Sequence, residues 1–420
     1  MRREADVNYL KKIRKPLTDF IYSLAAYALP TVVLQFVVFP VIAGNTTPDA
    51  NGLFLALFNA VRLCVSLFTV PLANMRLLKK KDCIEEPDKD KGFNLLFLTV
   101  TGMSALIVLG FGIFYYGNGA GVFDMVRLLL VLILLSAHDY YAIAFRVNIT
   151  YKTILADNIM IVVGYLIGIP LMLKTGYWEL IIICGYALGL AFTLIKTSYW
   201  RRGVKANLEG KVIGEYAQLS ASSGLNTATT YCDKMLIYPM IGGYNVSVYN
   251  SAAIVSKLMT LISVPMRNVF LSYIVDTDKL SLSRKRLGKL GIISLAGTGV
   301  LYGGFYLASL VLCRVLYPQY YGAALKYIPI ILLAILFETY SGLLKVYLLR
   351  FEKTSLQVIT SAIKVAAYLA GVLILTVFLK TELTGFCLSI LIADALQFII
   401  VLYFFIKNIM KQVGGKKDVS

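Results

Sequence analysis

The sequence predicts an all-α polytopic membrane protein with about 12 transmembrane helices in two parallel six-helix lobes. Three observations carry that prediction. Apolar runs of about twenty residues, the length that crosses roughly 30 Å of hydrocarbon, recur along the whole chain of 420 residues. Lys and Arg gather in alternate loops between those runs, as they do on one face of a membrane protein. A pair of short motifs occurs once in each half of the chain, the mark of an internal duplication.

Composition narrows the class further. The chain is 58% hydrophobic and 15% charged, where a soluble protein would be nearer one quarter charged. No polar stretch is long enough to build a separate soluble core. The net charge of +18 sits in short loops, so it reads as a topology signal, and no nucleic acid partner is expected. Cys64, Cys83, Cys184, Cys232, Cys313 and Cys387 have no paired spacing, and all but Cys83 fall inside apolar runs as small hydrophobes. Neither a disulfide framework nor a metal site is expected. There is no P-loop, no Gly-rich dinucleotide fingerprint and no His-x-x-x-His pair, so no cofactor is expected either. Arg2, Arg3, Lys11, Lys12, Arg14 and Lys15 precede a run too long for a signal-peptide core, which reads as uncleaved.

In chain order, the first span runs from about Leu17 to Ala43 and the second from Gly52 to Ala73. Phe93 to Tyr116, Phe123 to Ala144, Ile154 to Leu173 and Tyr177 to Ile195 form the third to sixth. A basic stretch, Lys196 to Lys211, then interrupts the hydrophobicity. The seventh span, Ile213 to Ile241, is rich in Ser, Thr and Asn and is assigned through its repeat partner, the first. Val246 to Pro265, Leu290 to Leu316, Ala323 to Leu344, Leu356 to Phe378 and Leu383 to Ile406 complete the set. Residues 1–196 are thus an N-terminal lobe, 197–212 a cytoplasmic linker and 213–420 a C-terminal lobe. Arg76, Lys79, Lys80, Lys81, Arg201, Arg202, Arg284 and Arg286 mark one side of the membrane, while the loops 44–52, 117–122 and 242–245 hold no Lys or Arg. The positive-inside rule puts both termini in the cytoplasm. Two halves of equal orientation form a parallel repeat about an axis along the membrane normal, an arrangement suited to alternating access.

The repeat itself pairs Phe39-Pro-Val-Ile-Ala-Gly44 with Tyr238-Pro-Met-Ile-Gly-Gly243. Ser66-Leu-Phe-Thr-Val-Pro-Leu-Ala-Asn74 likewise pairs with Thr260-Leu-Ile-Ser-Val-Pro-Met-Arg-Asn268. Pro40, Pro71, Pro239 and Pro265 are therefore candidate hinges. Charges inside a span are costly and face protein or a wet cavity. Arg62 lies nine residues before Pro71, and Lys257 eight before Pro265, so each half sets one cation at nearly the same depth. Such a pair would favour an anion such as a diphosphate. Asp233 and Lys234, neighbours in the seventh span, are expected to point in different directions rather than to pair. One could line the cavity or take part in coupling while the other bonds a neighbouring helix, or both could be structural. His138, the only histidine, and Asp139 lie in the fourth span, where His138 could couple protons or be satisfied by an Asp or Tyr. Glu338, Lys345, Lys364 and Asp394 read as pairs between neighbouring helices.

Leu34-Gln-Phe-Val-Val-Phe-Pro-Val-Ile-Ala43 with Asn51-Gly-Leu-Phe54 resembles the first helix pair of bacterial polysaccharide flippases. These are the O-antigen and capsule repeat-unit transporters of the multidrug/oligosaccharidyl-lipid/polysaccharide exporter superfamily. Cys232-Asp-Lys-Met-Leu-Ile-Tyr-Pro-Met-Ile-Gly-Gly243 with Val248-Tyr-Asn-Ser-Ala252 resembles their seventh and eighth helices, and Tyr317-Pro-Gln-Tyr-Tyr-Gly-Ala-Ala324 the loop before the tenth. The resemblance implies a V-shaped two-lobed bundle, not an enzyme, in the bacterial inner membrane. It implies a polyprenyl-diphosphate-linked glycan as substrate, carried from the cytoplasmic to the outer leaflet, with a polysaccharide polymerase and glycosyltransferases as further partners. Related flippases of peptidoglycan precursors use cavity arginines, and Arg62 and Lys257 correspond to those of the second and eighth helices. The first span here holds no cation, a departure from that pattern. Two other readings make different demands. A cation-coupled drug or metabolite antiporter of the same superfamily would show carboxylates at the cavity depth. A membrane polysaccharide polymerase or ligase would carry a substantial external loop.

Overall fold

The computed structural model describes residues 25, 28–256 (other than 81, 82, 84, 85, 120, 149, 206 and 207), 258, 259, 263 and 284–414 (other than 352–354). Every regular element among them is helical. The chain divides into two compact units, Met1–Thr227 and Ala228–Ser420. The protein is an all-α polytopic membrane protein, with ten helices among the described residues long and apolar enough to cross a bilayer.

The first described span, Ala28–Asn45, is helical and holds a short π-helical segment, Leu34–Val38, that runs into α1 (Phe39–Asn45). Thr47 caps α2 (Pro48–Cys64), its hydroxyl accepting from the Ala50 amide at 3.3 Å, with Pro48 and Asp49 in the first turn. A second π-helical segment, Val65–Thr69, joins α2 to α3 (Val70–Leu78), so that the three form one continuous span, Pro48–Leu78. Both π segments sit just ahead of a repeat proline, Pro40 or Pro71. Phe39 and Val70 each donate back to the fifth residue before them, Leu34 and Val65. A proline cannot donate to the preceding turn and its ring crowds that turn's carbonyl, so the ladder widens there by one residue.

α4 (Pro87–Tyr116) stops at Gly117, whose φ of 57° few side chains tolerate. α5 (Val122–Tyr141) continues through a break at Ala142 into α6 (Ile143–Val147). α7 (Tyr151–Thr175) ends on a left-handed Gly176 whose amide closes on Met172, and α8 (Glu179–Lys196) follows within a few residues. α7 and α8 meet backbone to backbone. A methyl added at Gly164 would lie 2.3 Å from the Cys184 carbonyl, and one at Gly168 2.5 Å from the Ile181 Cα. Gly185 and Gly189 face back in the same way, against Tyr165 and Ile161. Two Gly-x-x-x-Gly stripes thus face each other, the small-residue packing that serves inside lipid, where burial of apolar surface gives no net drive.

Phe39, Phe54, Phe58 and Trp178 form an aromatic cluster at one end of this unit, with centroid distances of 5.1 Å for Phe39–Phe54 and 4.8 Å for Phe54–Trp178. Leu72, Phe93, Phe97, Tyr140 and Tyr216 form a second cluster. Large apolar side chains also cover the outside, Leu106 and Phe114 on α4 among them. In water they would be a liability; against lipid tails they are the expected surface.

α9 (Gly210–Ile241) runs from the first unit into the second. It is a single helix, yet its Ser, Thr and Asn content keeps it out of the ten strongly apolar ones. The eighth predicted span begins as α10 (Gly243–Ala252), and most of its remainder lies outside the described residues. α11 (Arg284–Leu316), the short α12 (Tyr321–Ala324), α13 (Ile328–Phe351), α14 (Ser355–Gly371) with a π-helical extension Val372–Phe378, and α15 (Glu382–Gly414) build the rest. Tyr347, Leu348, Val401 and Ile409 are a core between α13 and α15.

Candidate functional site

The second span brings Arg62 to the middle of the first unit, near the last turn of α2 and just before the π segment. There it is half-buried on the wall of a cavity of about 280 Å³. Arg62 Nη1 donates to Tyr186 Oη of α8 at 3.4 Å. His138 and Asp139 of α5 line the same space, as do Asp157 and Asn158 of α7. Arg62 and the adjacent His138 and Asp139, assigned separately from sequence, are therefore brought to one site.

His138 is the centre of a polar network. Its Nε2 lies 2.8 Å from Asp157 Oδ2, and its Nδ1 lies 3.3 Å from Asp139 Oδ1. Thr193 of α8 donates its hydroxyl to the other oxygen of Asp157 at 2.8 Å. The ring of His138 packs edge-on against Tyr186, centroids 5.5 Å apart. α5, α7 and α8 are thus tied together by one imidazole, one carboxylate and one hydroxyl, all buried. The cavity sets two guanidiniums, Arg62 and Arg146, against two carboxylates, so it offers both an anion contact and a proton or cation contact. Asp157, Asn158 and Tyr186 do not emerge as site residues from the sequence alone, although an aspartate inside the fifth span is itself a signal.

A second polar pair lies nearer the basic end of the unit. Arg76 of α3 and Asp90 of α4 are both buried, with Nε to Oδ1 at 2.7 Å and Nη2 to Oδ1 at 2.5 Å. The Arg76 guanidinium also stands 5.0 Å from the Tyr140 ring, which stacks on Phe97 at 4.3 Å.

In the second unit the expectation for Asp233 and Lys234 is corrected. Both are buried in α9, and Lys234 Nζ sits 3.4 Å from each carboxylate oxygen of its own neighbour. Adjacent Cβ atoms do point apart, but a lysine stem is long enough to fold back. The Asp233 carboxylate also accepts from the Lys234 amide at 2.7 Å, and the ammonium stands 5.4 Å from the Tyr249 ring. Lys364 of α14 bridges Asp394 of α15 at 2.6 Å and Glu338 of α13 at 3.4 Å, while Lys345 donates to Ser361 at 3.2 Å. Lys257 and Pro265 lie outside the described residues. Pro40 and Pro71 stand beside π segments, whereas Pro239 sits inside an α-helix. Among the described residues no group of His, Cys, Asp and Glu is placed to hold a metal ion.

Several solved membrane transporters resemble the chain over nearly its whole length. A structure of the lipid II flippase MurJ in an inward closed conformation superposes with a TM-score of 0.68 and 17% identity, over 94% of this chain and 90% of that one. An inward-facing multidrug resistance MATE family transporter of the MOP superfamily gives 0.63 and 12%, over 93% and 98%. A MOP superfamily transporter from Pyrococcus furiosus Vc1 gives 0.59 and 12%, over 94% and 95%. The chain shares the fold of these transporters. No protein-family model and no curated protein matches the sequence. At these identities the likeness carries the fold and leaves cargo to the residues.

Proposed function

We propose that the chain flips an undecaprenyl-diphosphate-linked oligosaccharide repeat unit from the cytoplasmic to the outer leaflet by alternating access, for assembly of a surface polysaccharide. The observation that carries this reading is Arg62, a cation at mid-span on the wall of a polar cavity. A guanidinium has five N–H donors in a planar fork, so a contact with Tyr186 is compatible with a second to a diphosphate. The fold shared with a lipid II flippase supports a lipid-linked cargo. Lys257, at matching depth in the second repeat, is the proposed partner of Arg62, and Pro40, Pro71, Pro239 and Pro265 are the proposed hinges. On this reading residues 1–196 and 213–420 are the lobes and 197–212 the linker between them. The protein spans the bacterial inner membrane with both termini in the cytoplasm, and it works beside glycosyltransferases and a polymerase.

Arg62→Ala and Lys257→Ala test it. Each should lower surface glycan at an unchanged level of protein in the membrane, and normal glycan from both would sink the proposal. A second reading, a cation-coupled drug or metabolite antiporter, is favoured by one observation, the Asp139 and Asp157 carboxylates at the cavity. It predicts that His138→Ala and Asp157→Asn change drug susceptibility and leave surface glycan intact.

A further inference from the structure

A second cavity, of about 400 Å³, opens at the basic end of the first unit and is not the Arg62 site. It is lined by three cations, Arg76, Lys80 and Lys196, and by the hydroxyls of Thr150, Thr153 and Ser198. Against three cations stands one carboxylate, Asp90, which is already paired with Arg76. The walls come from several places in the sequence: the end of the second span, the start of α4, the α6 turn, the start of α7 and the end of α8.

Each part suits a phosphate group. α7 is 25 residues long and starts at the cavity edge, with Thr150 as its N-cap and Thr153 in its first turn, so the positive end of its dipole faces this space. Lys80 donates to the Val147 carbonyl at 2.6 Å, which fixes its ammonium at the wall; an ammonium has three donors and this contact uses one. Lys196 is exposed at the rim. Ala144, Phe145 and Val147 supply an apolar wall beside the cations. Cations next to apolar surface, between helices and at the basic end of a bundle, are how membrane proteins hold anionic headgroups.

We propose that this cavity binds a phosphate group, carried by an anionic phospholipid headgroup or by a free phosphate anion, at a site separate from the cargo cavity. The apolar wall gives a glycerol and the first acyl carbons a place that a free anion would leave unused. Because the contacts join the second span to α7 and α8, occupancy would hold these three helices together at the basic end. The site does not depend on what Arg62 binds.

The test uses the full-length protein in a neutral detergent, with thermal unfolding and native mass spectrometry as readouts. The probes are dihexanoyl-phosphatidylglycerol, dihexanoyl-phosphatidylcholine and inorganic phosphate. Phosphatidylglycerol should raise the unfolding temperature in a saturable way, and phosphatidylcholine should do so more weakly. Lys196→Gln, at an exposed position, should weaken the effect about fivefold, and Lys80→Gln with Lys196→Gln about 25-fold. Inorganic phosphate that binds alone and displaces phosphatidylglycerol would identify a free anion as the ligand. Saturation by phosphatidylglycerol with no effect of phosphate would identify the headgroup. Failure of both probes to bind, or wild-type affinity for both in Lys196→Gln, would overturn the proposal.

Discussion

At the residue scale, the buried charges of this protein fall into two kinds. Arg76 with Asp90, on the wall of the proposed phosphate cavity, and Lys364 with Asp394 are buried pairs to which the cargo reading gives no role. Removing one partner of such a pair leaves a buried charge without its counter-ion. Asp90→Ala should therefore destabilise the first unit by about 3–5 kcal/mol, and Arg76→Met with Asp90→Leu by much less. Thermal unfolding in detergent checks this, and equal losses in the single and double variants would contradict it. In the second unit, Lys364→Met should lower the level of folded protein more than Lys364→Met with Asp394→Leu does. Arg62 and His138 are of the other kind, on the wall of the cavity to which the cargo reading does give a role. Their presence is legible in the sequence, since a charge or an imidazole inside an apolar span stands out at once. Their partners are not. Tyr186 and Asp157 come from other helices, and no local count of residues brings them near. The contact of Lys234 with Asp233 escapes the sequence for a related reason: backbone periodicity gives the direction of a Cβ, while a lysine's reach is set by its stem.

At the element scale, helix positions follow closely from the sequence because hydrophobic length is a local property. The predicted span Ile154 to Leu173 falls inside α7, Tyr151–Thr175, and Tyr177 to Ile195 matches α8, Glu179–Lys196, to within two residues at either end. Helix contacts are another matter. The facing stripes Gly164-x-x-x-Gly168 and Gly185-x-x-x-Gly189 stand in the sequence as plainly as the prolines do, and they set the backbone contact between α7 and α8. Gly168→Leu should separate α7 from α8, because the new side chain would meet the Ile181 backbone rather than a movable side chain. Loss of folded protein from the membrane is the expected result, and a wild-type amount would refute the packing argument. Gly110→Leu, where a Cβ meets nothing within 4 Å, is the matched control and should be tolerated.

At the scale of the whole molecule, charge distribution sets the prediction. With native cysteines replaced, a cysteine at Lys205 should react with a membrane-impermeant maleimide only from the cytoplasmic side, and one at Asn118 only from outside. The opposite pattern would reverse the orientation assigned to every loop. The fold class is legible because three separate signals, run length, loop charge and internal repeat, agree on it. The seventh span shows what each signal carries: hydropathy alone passes over α9, which is nonetheless one helix, and the repeat is what places it among the predicted spans.

The π segment before Pro71 also sets the phase of the second span. Arg62 and Arg76 are fourteen residues apart, close to four turns of an ordinary α-helix, and a regular helix would set both on nearly the same side. The extra residue carried by Val65–Thr69 rotates everything after it by about a quarter of a turn. Arg62 is left looking into one cavity while Arg76 turns away to meet Asp90. The span is phased like two gears keyed a tooth apart. Regularising this segment to α-helix at its present length would bring the two arginines to within about 40° of each other and cost Asp90 its partner. Deleting one residue between 65 and 69 would instead remove the wide turn and keep their phase.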